Sequence, residues 1–353
     1  MLYIIILTGK CNLNCSYCGG SIDERIMPAE ISYPLEELYE FLNRDSDLSI
    51  AFYGGEPLLR IDLIKDIMEN VEAKHFILQT NGLLLDRLID ELDDINEFST
   101  ILVSIDGVKE VNDYYRGKTY ERVMRNVEII KKHYKGELIA RMVATERTDI
   151  YRDVLHLLER FEYVHWQINA VWVDEDFYSD FIQWIREYNR GIGKLVDFWI
   201  KELERGVVRK IVPFLGIASA LLGYSLPKPP CGSGENSFVI STDGKILACP
   251  ICADLEWNLA GDIWNGINRN SFLDVDRCSG CSAFSVCGGR CLFFNRERLW
   301  SENKMNAVCD ATKNLISRIE WHIPRIKSLI EEKIVYERDL IYPKYNNTTE
   351  IIP

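Results

Sequence analysis

Three cysteines, Cys11, Cys15 and Cys18, fall at x3 and x2 spacing directly after Leu2 to Leu7, an apolar run that predicts a first β-strand. A loop that short can turn three thiolates toward one point. Three attachments are one fewer than a closed four-cysteine cluster or zinc site requires. A cubane iron–sulfur cluster held this way keeps one iron open to a ligand that is not protein. Spacing alone also permits three buried or disordered thiols, because short cysteine patterns recur by chance.

A second group begins far downstream. Twelve residues separate Cys231 from Gly244 and four separate Gly244 from Cys249; then come Cys278-x2-Cys281-x5-Cys287-x3-Cys291-x17-Cys309. Cys252 stands at CxxC spacing from Cys249. Ser237–Ser241 and Lys245–Ala248 flank Asp243-Gly244, a hairpin signal. Paired CxxC ligands suit tetrahedral zinc, in which case eight cysteines would form two closed sites. Iron–sulfur clusters suit the same residues, and the spacing by itself leaves both open.

The chain has 353 residues, a formal charge of −13, 47% hydrophobic and 27% charged residues. That balance describes a folded globular protein with one large domain or two. An acidic chain lacks the basic face a nucleic-acid binder needs, but is compatible with a basic peptide substrate. All 11 cysteines lie in residues 11–18 and 231–309. Their odd number, the size of the chain and the absence of a signal-peptide pattern point to a reducing cytoplasm and metal-bound thiolates, not a disulfide scaffold. No stretch reaches the roughly 20 apolar residues that span a bilayer. Val212 to Leu226 comes nearest and reads as a buried connecting segment, interrupted by Pro213, Gly216 and Gly223.

The elements that must position these cysteines alternate over residues 1–170. Candidate strands are Leu2–Leu7, Ser49–Tyr53, His75–Thr80, Ile101–Ile105, Glu137–Ala144 and Val164–Ala170. Leu35–Leu42, Ile61–Val71, Leu85–Leu92, Tyr120–His133 and Ile150–Leu158 carry apolar residues at helical spacing. Such alternation implies a parallel sheet with right-handed crossovers, either doubly wound or a partial barrel, with ligand sites at the carboxyl ends of the strands. The motifs fall at those ends: the cysteine loop after the first strand, Gly54-Gly55-Glu56-Pro57 after the second, Thr80-Asn81-Gly82 at the third, and Ser104-Ile105-Asp106-Gly107 at the fourth. Arg141 lies within the fifth. Each motif alone reads as a tight turn. Together on one edge they favour a site, in which glycines admit a ligand to the backbone and Glu56 accepts from a bound ammonium.

With these residues in place, the chain resembles the radical S-adenosylmethionine (radical SAM) enzymes. Cys11-Asn12-Leu13-Asn14-Cys15-Ser16-Tyr17-Cys18 is similar to their CxxxCxΦC motif, with Tyr17 in the aromatic position. The resemblance covers roughly residues 1–170 and implies an α/β fold with a partial (β/α)6 TIM-like barrel. It implies contacts to S-adenosylmethionine from Tyr17, Gly54, Gly55, Glu56, Ser104 and Arg141. Ser104 to Arg116, followed by Tyr120 to Asn126, resembles the SxDG…D…R…V…N pattern of the peptide-modifying branch, with Asn112 where histidine is more usual. The second cysteine group resembles the SPASM extension of the same enzymes, which carries two auxiliary [4Fe–4S] clusters. By position, Cys278, Cys281, Cys287 and Cys309 would hold the second auxiliary cluster. Cys231, Cys249 and Cys291 would hold the first, with Cys252 as the available fourth ligand or a spectator beside an open iron.

The implied organisation is a radical SAM core over 1–173, a helical connector over 174–230, a SPASM domain with a β-hairpin over 231–309, and C-terminal helices and tail over 310–353. In the connector, Phe177–Asn189 and Lys194–Glu204 read as aromatic-rich helices, packed as core or lining a substrate groove. Ala311–Ile323 and Arg325–Ile334 read as helices broken at Pro324, followed by a polar stretch from Tyr336 to Pro353. The family implies one-electron cleavage of S-adenosylmethionine to a 5′-deoxyadenosyl radical, and hydrogen abstraction from a peptide or protein side chain. A cross-link, thioether, epimerisation or oxidation would follow. A low-potential donor such as ferredoxin or flavodoxin would supply the electron. No acid or base is assigned, and Asp106, Asp113 and Asp243 read as structural. With the cysteine motif starting at residue 11, no leader-binding domain is expected before the barrel. Two alternatives are oxidation of a sulfatase serine or cysteine to formylglycine, against which stands Pro250 where those enzymes have an acid, and a non-catalytic metal-binding electron-transfer or interaction protein.

Overall fold

The computed structural model describes residues 1–170, 172–268, 271–342 and 352–353. Its frame is one 11-stranded sheet. Strands β1 (Leu2–Ile6), β2 (Ser49–Tyr53), β3 (His75–Thr80), β4 (Phe98–Ser104), β5 (Glu137–Ala144) and β6 (Tyr163–Ile168) run parallel in chain order. A doubly wound sheet would reverse its strand order at a switch point. This order never reverses, so the open choice resolves to the partial barrel. β1 reads Leu-Tyr-Ile-Ile-Ile and is buried at every position, as expected of a parallel strand covered on both faces.

The crossover helices are α1 (Leu35–Leu42), α2 (Ile61–Asn70), α3 (Arg87–Glu91), α4 (Lys109–Arg116), α5 (Tyr120–Ile130) and α6 (Ile150–Leu158). α2, for example, buries an apolar stripe of Ile61, Leu63, Ile64 and Ile67. Beyond β6 come α7 (Phe181–Glu204), β7 (Lys210–Ile211) and α8 (Val212–Leu221). The barrel is not closed. β7 pairs with β6 at one edge, and the other edge of β1 receives β8 (Ser237–Ile240) in parallel, with Leu2 opposite Ser237 and Ile5 opposite Ile240. The expected hairpin is β8 with β9 (Lys245–Leu247), extended by β10 (Leu259–Asp262) and β11 (Gly266–Ile267). Short helices α9 (Phe284–Cys287) and α10 (Leu292–Glu297) lead to α11 (Glu302–Glu331).

Two expected helix breaks do not occur. α7 runs unbroken over 24 residues, with the Asp180 side chain accepting from Gln183 N at its start. Its glycines mark close approaches. A Cβ on Gly191 would lie 2.6 Å from Ile150 Cγ2, and one on Gly193 2.9 Å from Arg318 Nη1. Likewise α11 continues through Pro324. An interior proline costs about 3 kcal/mol, which burial of Leu315, Ile316, Ile319, Ile326 and Leu329 on the same helix outweighs. The aromatic stripe is core: Tyr178, Phe181, Trp184, Tyr188 and Trp199 are buried, and Phe177 and Phe198 partly so. The apolar segment after residue 211 is the buried helix α8. Of the polar stretch Tyr336 to Pro353, residues 343–351 lie outside the described residues. Among the described residues no helix is long and apolar enough to cross a membrane.

Candidate active site at the carboxyl edge of the sheet

The cysteine loop leaves β1 and folds back on itself. Cys18 N and Gly19 N both donate to Cys15 O, at 2.9 and 3.1 Å. Gly20 adopts a left-handed φ of +85°, where a Cβ would meet Leu13 O at 2.8 Å, so only glycine closes the loop. Cys15 is buried, Cys11 half-buried and Cys18 exposed. Burial raises the Cys11 thiol, and raises Cys15 to about 11 against the opposing charge of Arg116. Asn81, from the turn after β3, points Nδ2 at Cys11 Sγ at 3.9 Å.

The Gly-Gly-Glu-Pro turn serves this loop. Gly55 N donates to Thr8 O at 2.9 Å and Glu56 N to Lys10 O at 2.8 Å. A Cβ on Gly54 (φ +145°) would lie 2.4 Å from Thr8 O, and one on Gly55 2.2 Å from Lys10 O. The glycines therefore admit the root of the cysteine loop. The Glu56 side chain is enclosed. It accepts from Leu58 N at 3.1 Å, Thr80 Oγ1 at 2.7 Å and Asn81 N at 2.7 Å. It clasps the second and third strand ends together. Burial raises its carboxyl, against the pull of those donors. Gly55→Ala is expected to displace Lys10 and lower iron uptake at the three-cysteine loop while the C-terminal cysteines load normally, measured as iron per chain.

Tyr17 locks the loop from the other side. Its hydroxyl donates to Asp106 Oδ2 at 2.6 Å and accepts from Arg116 Nη1 at 2.6 Å. Asp106 Oδ1 accepts from Val143 N at 3.0 Å. All three side chains are buried. Desolvation raises the Asp106 carboxyl, opposed first by Arg116. Desolvation alone would lower Arg116, but Tyr17, Asp106 and Cys15 outweigh it and hold the guanidinium firmly charged. Asn112 and Asp113 hold backbone and neighbours: Asp106 N donates to Asn112 Oδ1 at 3.3 Å, and Tyr120 N to Asp113 Oδ1 at 2.9 Å. Asp243 pairs with Lys245 at 2.6 Å at the hairpin turn.

Ser104 and Arg141 are register partners across β4 and β5. Arg141 Nη2 donates to Gln167 Oε1 on β6 at 2.8 Å. Its Nε is buried without a hydrogen-bond partner, as is Nδ2 of Asn169, just past β6. Two buried donors, one within β5 and one just past β6, suit an oxygen-rich ligand group. The sequence reading missed Asn169, because a single asparagine after a strand carries no distinguishing pattern.

The parallel β8–β1 pairing brings the turn between β8 and β9 to the same edge. Thr242 Oγ1 donates to Pro28 O at 2.5 Å, and Ser32 N to Thr242 O at 2.8 Å, tying the hairpin turn to the segment after the cysteine loop. Desolvation raises the Tyr53 phenol at the end of β2, and the neighbouring groups acting on it are Arg141, Cys18 and Cys249. Asn258, also missed, clamps the Cys249–Cys252 turn: Cys249 N donates to its Oδ1 at 2.8 Å, and its Nδ2 donates to Cys249 O at 2.8 Å and Cys252 O at 2.9 Å. Cys231 Sγ donates to Ser233 Oγ at 3.2 Å, and Cys291 caps the start of α10. Cys278, Cys281, Cys287 and Cys309 line one cavity of about 200 Å³ with Arg277, Arg290, Arg298 and Lys313. Burial raises Cys278 and Cys309, and raises Cys287 to about 11. Among the described residues, no three Cys, His, Asp or Glu converge on one metal-ion position. Tetrahedral zinc draws its thiolates in to about 2.3 Å, whereas a cubane cluster spreads them around a larger body.

Residues 5–158 match the Radical SAM superfamily. A cysteine-type anaerobic sulfatase-maturating enzyme of Clostridium novyi is 23% identical over 88% of this chain and 92% of its own length. The radical SAM cyclopropyl synthase TigE of Paramaledivibacter caminithermalis is 21% identical over 89% of this chain and 73% of its own. Among solved structures, native anSMEcpe with bound AdoMet and Cp18Cys peptide superposes with a TM-score of 0.70 at 22% identity, covering 94% of this chain and 99% of that one. Streptococcus suis SuiB bound to the precursor peptide SuiA gives a TM-score of 0.57 at 15% identity, over 82% and 71%. The three-cysteine loop and the strand-end clasps behind it thus lie in a Radical SAM domain, residues 5–158, and the fold of the chain as a whole is similar to that of anSMEcpe.

Proposed function

We propose that this enzyme cleaves S-adenosylmethionine reductively and modifies a peptide or protein side chain by hydrogen abstraction. The observation that carries the reading is the three-cysteine loop, held by Tyr17–Asp106–Arg116 on one side and by Glu56 on the other, beside the buried, unpartnered Arg141 Nε. A [4Fe–4S] cluster on Cys11, Cys15 and Cys18, with S-adenosylmethionine at its open iron, would supply one-electron cleavage and a hydrogen-abstracting radical. The chain's own part is placement. Asn81 offers a donor to the Cys11 sulfur, and donors to sulfur shift a cluster's potential. Ser104 and Arg141 offer donors for the amino-acid end of the cofactor, and the turn at Gly54 and Gly55 would contribute backbone alone. Cys231, Cys249, Cys252 and Cys291 would hold the first auxiliary cluster, and Cys278, Cys281, Cys287 and Cys309 the second. A reducing cytoplasm and a ferredoxin- or flavodoxin-type donor belong to the same reading.

A second reading is formylglycine formation in a sulfatase. Similarity along nearly the whole length of a sulfatase-maturating enzyme favours it, while Pro250 directly after Cys249 weighs against it. The test is an anaerobic incubation of reconstituted enzyme, S-adenosylmethionine and dithionite with two peptide sets, followed by mass spectrometry. One set carries sulfatase cysteine or serine motifs; the other consists of short peptides encoded beside this gene. Deoxyadenosine with a mass change in the second set supports the leading reading, and in the first set the alternative. Intact S-adenosylmethionine with every peptide would sink both.

A further inference from the structure

Asn295 sets a side-chain amide against a cysteine sulfur. It is 5% exposed and sits on α10, one turn beyond Cys291, whose carbonyl accepts from Asn295 N at 2.9 Å. Its Oδ1 accepts from Asp274 N at 2.9 Å, and its Nδ2 donates to Asp274 O at 3.2 Å. This clasp fixes which end of the amide is the donor, since a flipped amide would set N–H against N–H and oxygen against oxygen. The same Nδ2 also donates to Cys278 Sγ at 3.7 Å. Cys278 lines one cavity with Cys281, Cys287 and Cys309. Asn81 is oriented in the same way: its Oδ1 accepts from Leu83 N at 3.0 Å while its Nδ2 faces Cys11 Sγ at 3.9 Å.

The clasp on Asp274 occupies the amide oxygen and one N–H, and a purely structural role would account for both. The other N–H is buried and needs an acceptor of its own. A neutral thiol accepts weakly, whereas a thiolate carries the charge that makes a stronger acceptor. We infer that Asn295 is a hydrogen-bond donor to the Cys278 sulfur of the cluster held by Cys278, Cys281, Cys287 and Cys309, and that this bond raises the reduction potential of that cluster. The inference rests on the auxiliary-cluster reading above. Adding an electron puts more negative charge on the sulfurs, and a donor aimed at sulfur favours that state. Arg277 braces the same contact: it pairs with the Asp274 carboxylate at 2.7 Å, and its Nη1 donates to Asn295 O at 3.4 Å. The loop before Cys278 is thereby tied to the helix that starts at Cys291, the proposed ligand of the neighbouring cluster.

The test uses the full chain with Cys11, Cys15 and Cys18 changed to alanine, so that only the C-terminal cysteines bind iron. Iron, sulfide and zinc per chain are measured first. A parent that binds zinc or no iron refutes the auxiliary-cluster reading, and the inference with it. With iron bound, Asn295→Leu keeps the shape of the side chain and removes the donor. Its EPR-monitored dithionite titration is expected to show one cluster at least about threefold harder to reduce, about 28 mV at about 59 mV per tenfold for one electron. A second readout does not depend on that variant. Parent protein made with asparagine carrying a heavy-nitrogen side-chain amide should show, by pulsed EPR, that nitrogen coupled to the same reduced cluster. The coupling should survive in Asn306→Ala, an exposed asparagine that also lines the cavity, and vanish in Asn295→Leu. The inference is overturned by a parent without the coupling, by its loss in Asn306→Ala, or by its persistence in loaded Asn295→Leu. A midpoint unmoved or more positive in loaded Asn295→Leu overturns it equally. Where Asn295→Leu takes up no iron at that cluster, the spectra of the parent and of Asn306→Ala decide alone.

Discussion

The chain with Cys11, Cys15 and Cys18 changed to alanine is expected to bind about 8 irons where the unaltered chain binds about 12, the content of two cubanes against three. Cleavage of S-adenosylmethionine should vanish with the missing four. The size of the effect follows from how the loop is built: its three sulfurs stand on eight residues, with no fourth cysteine in residues 19–230 to take over. The C-terminal cysteines are held by separate structure, notably Asn258 at Cys249–Cys252 and the cavity walls around Cys287. Their iron should survive. A reconstituted wild type with about 4 irons and about two zincs would instead make the C-terminal region a zinc-stabilised recognition module. The same assay decides Cys252: full iron and an unchanged spectrum in Cys252→Ala would remove it from the proposed ligand set.

Arg116→Met should destabilise the metal-free protein by about 3–5 kcal/mol, the usual cost of leaving one partner of a buried ion pair alone. Met keeps much of the volume but removes the donor to Tyr17 and the charge facing Asp106 and Cys15. The loss should depend on pH in a defined direction. Burial already raises the Asp106 carboxyl, with Arg116 opposing; without Arg116 its folded value rises further above the unfolded one. A raised carboxyl contributes stability below the unfolded pKa and loses it as pH rises through the folded value. The deficit should therefore be smaller at pH 6 than at pH 8 in urea-unfolding midpoints. Equal deficits at both would mean that Arg116 acts through shape alone. The variant should also bind less iron at the N-terminal loop, since Tyr17 loses one of its two anchors.

Local pattern carried much of this fold. β2, β3, β5, α1 and α6 have the bounds their apolar spacing predicts, because turn-forming dipeptides punctuate short buried runs there. It failed where a residue answers to a distant neighbour. Gly191 and Gly193 look like a break until Ile150 and Arg318 are seen against them. Pro324 looks like a stop until the buried face of α11 is counted. At the site, spacing singled out the cysteines as candidate ligands, and the family resemblance singled out Tyr17, Ser104 and Arg141. The bonds from Leu58, Thr80 and Asn81 to Glu56 were not legible, since only the folded sheet brings those strand ends together. Asn258 and Asn169 were invisible for a related reason: each acts through one amide placed by tertiary structure.

The parallel register of β8 on β1 also governs how the chain is made. β1 leaves the ribosome some 235 residues ahead of its partner on one edge. At 5–20 residues per second that edge waits roughly 10–50 s. Throughout that wait a flat, wholly apolar strand presents unpaired amides, a template for aggregation. Overproduction should therefore favour inclusion bodies, and an edge-covering chaperone should relieve them more than added iron does.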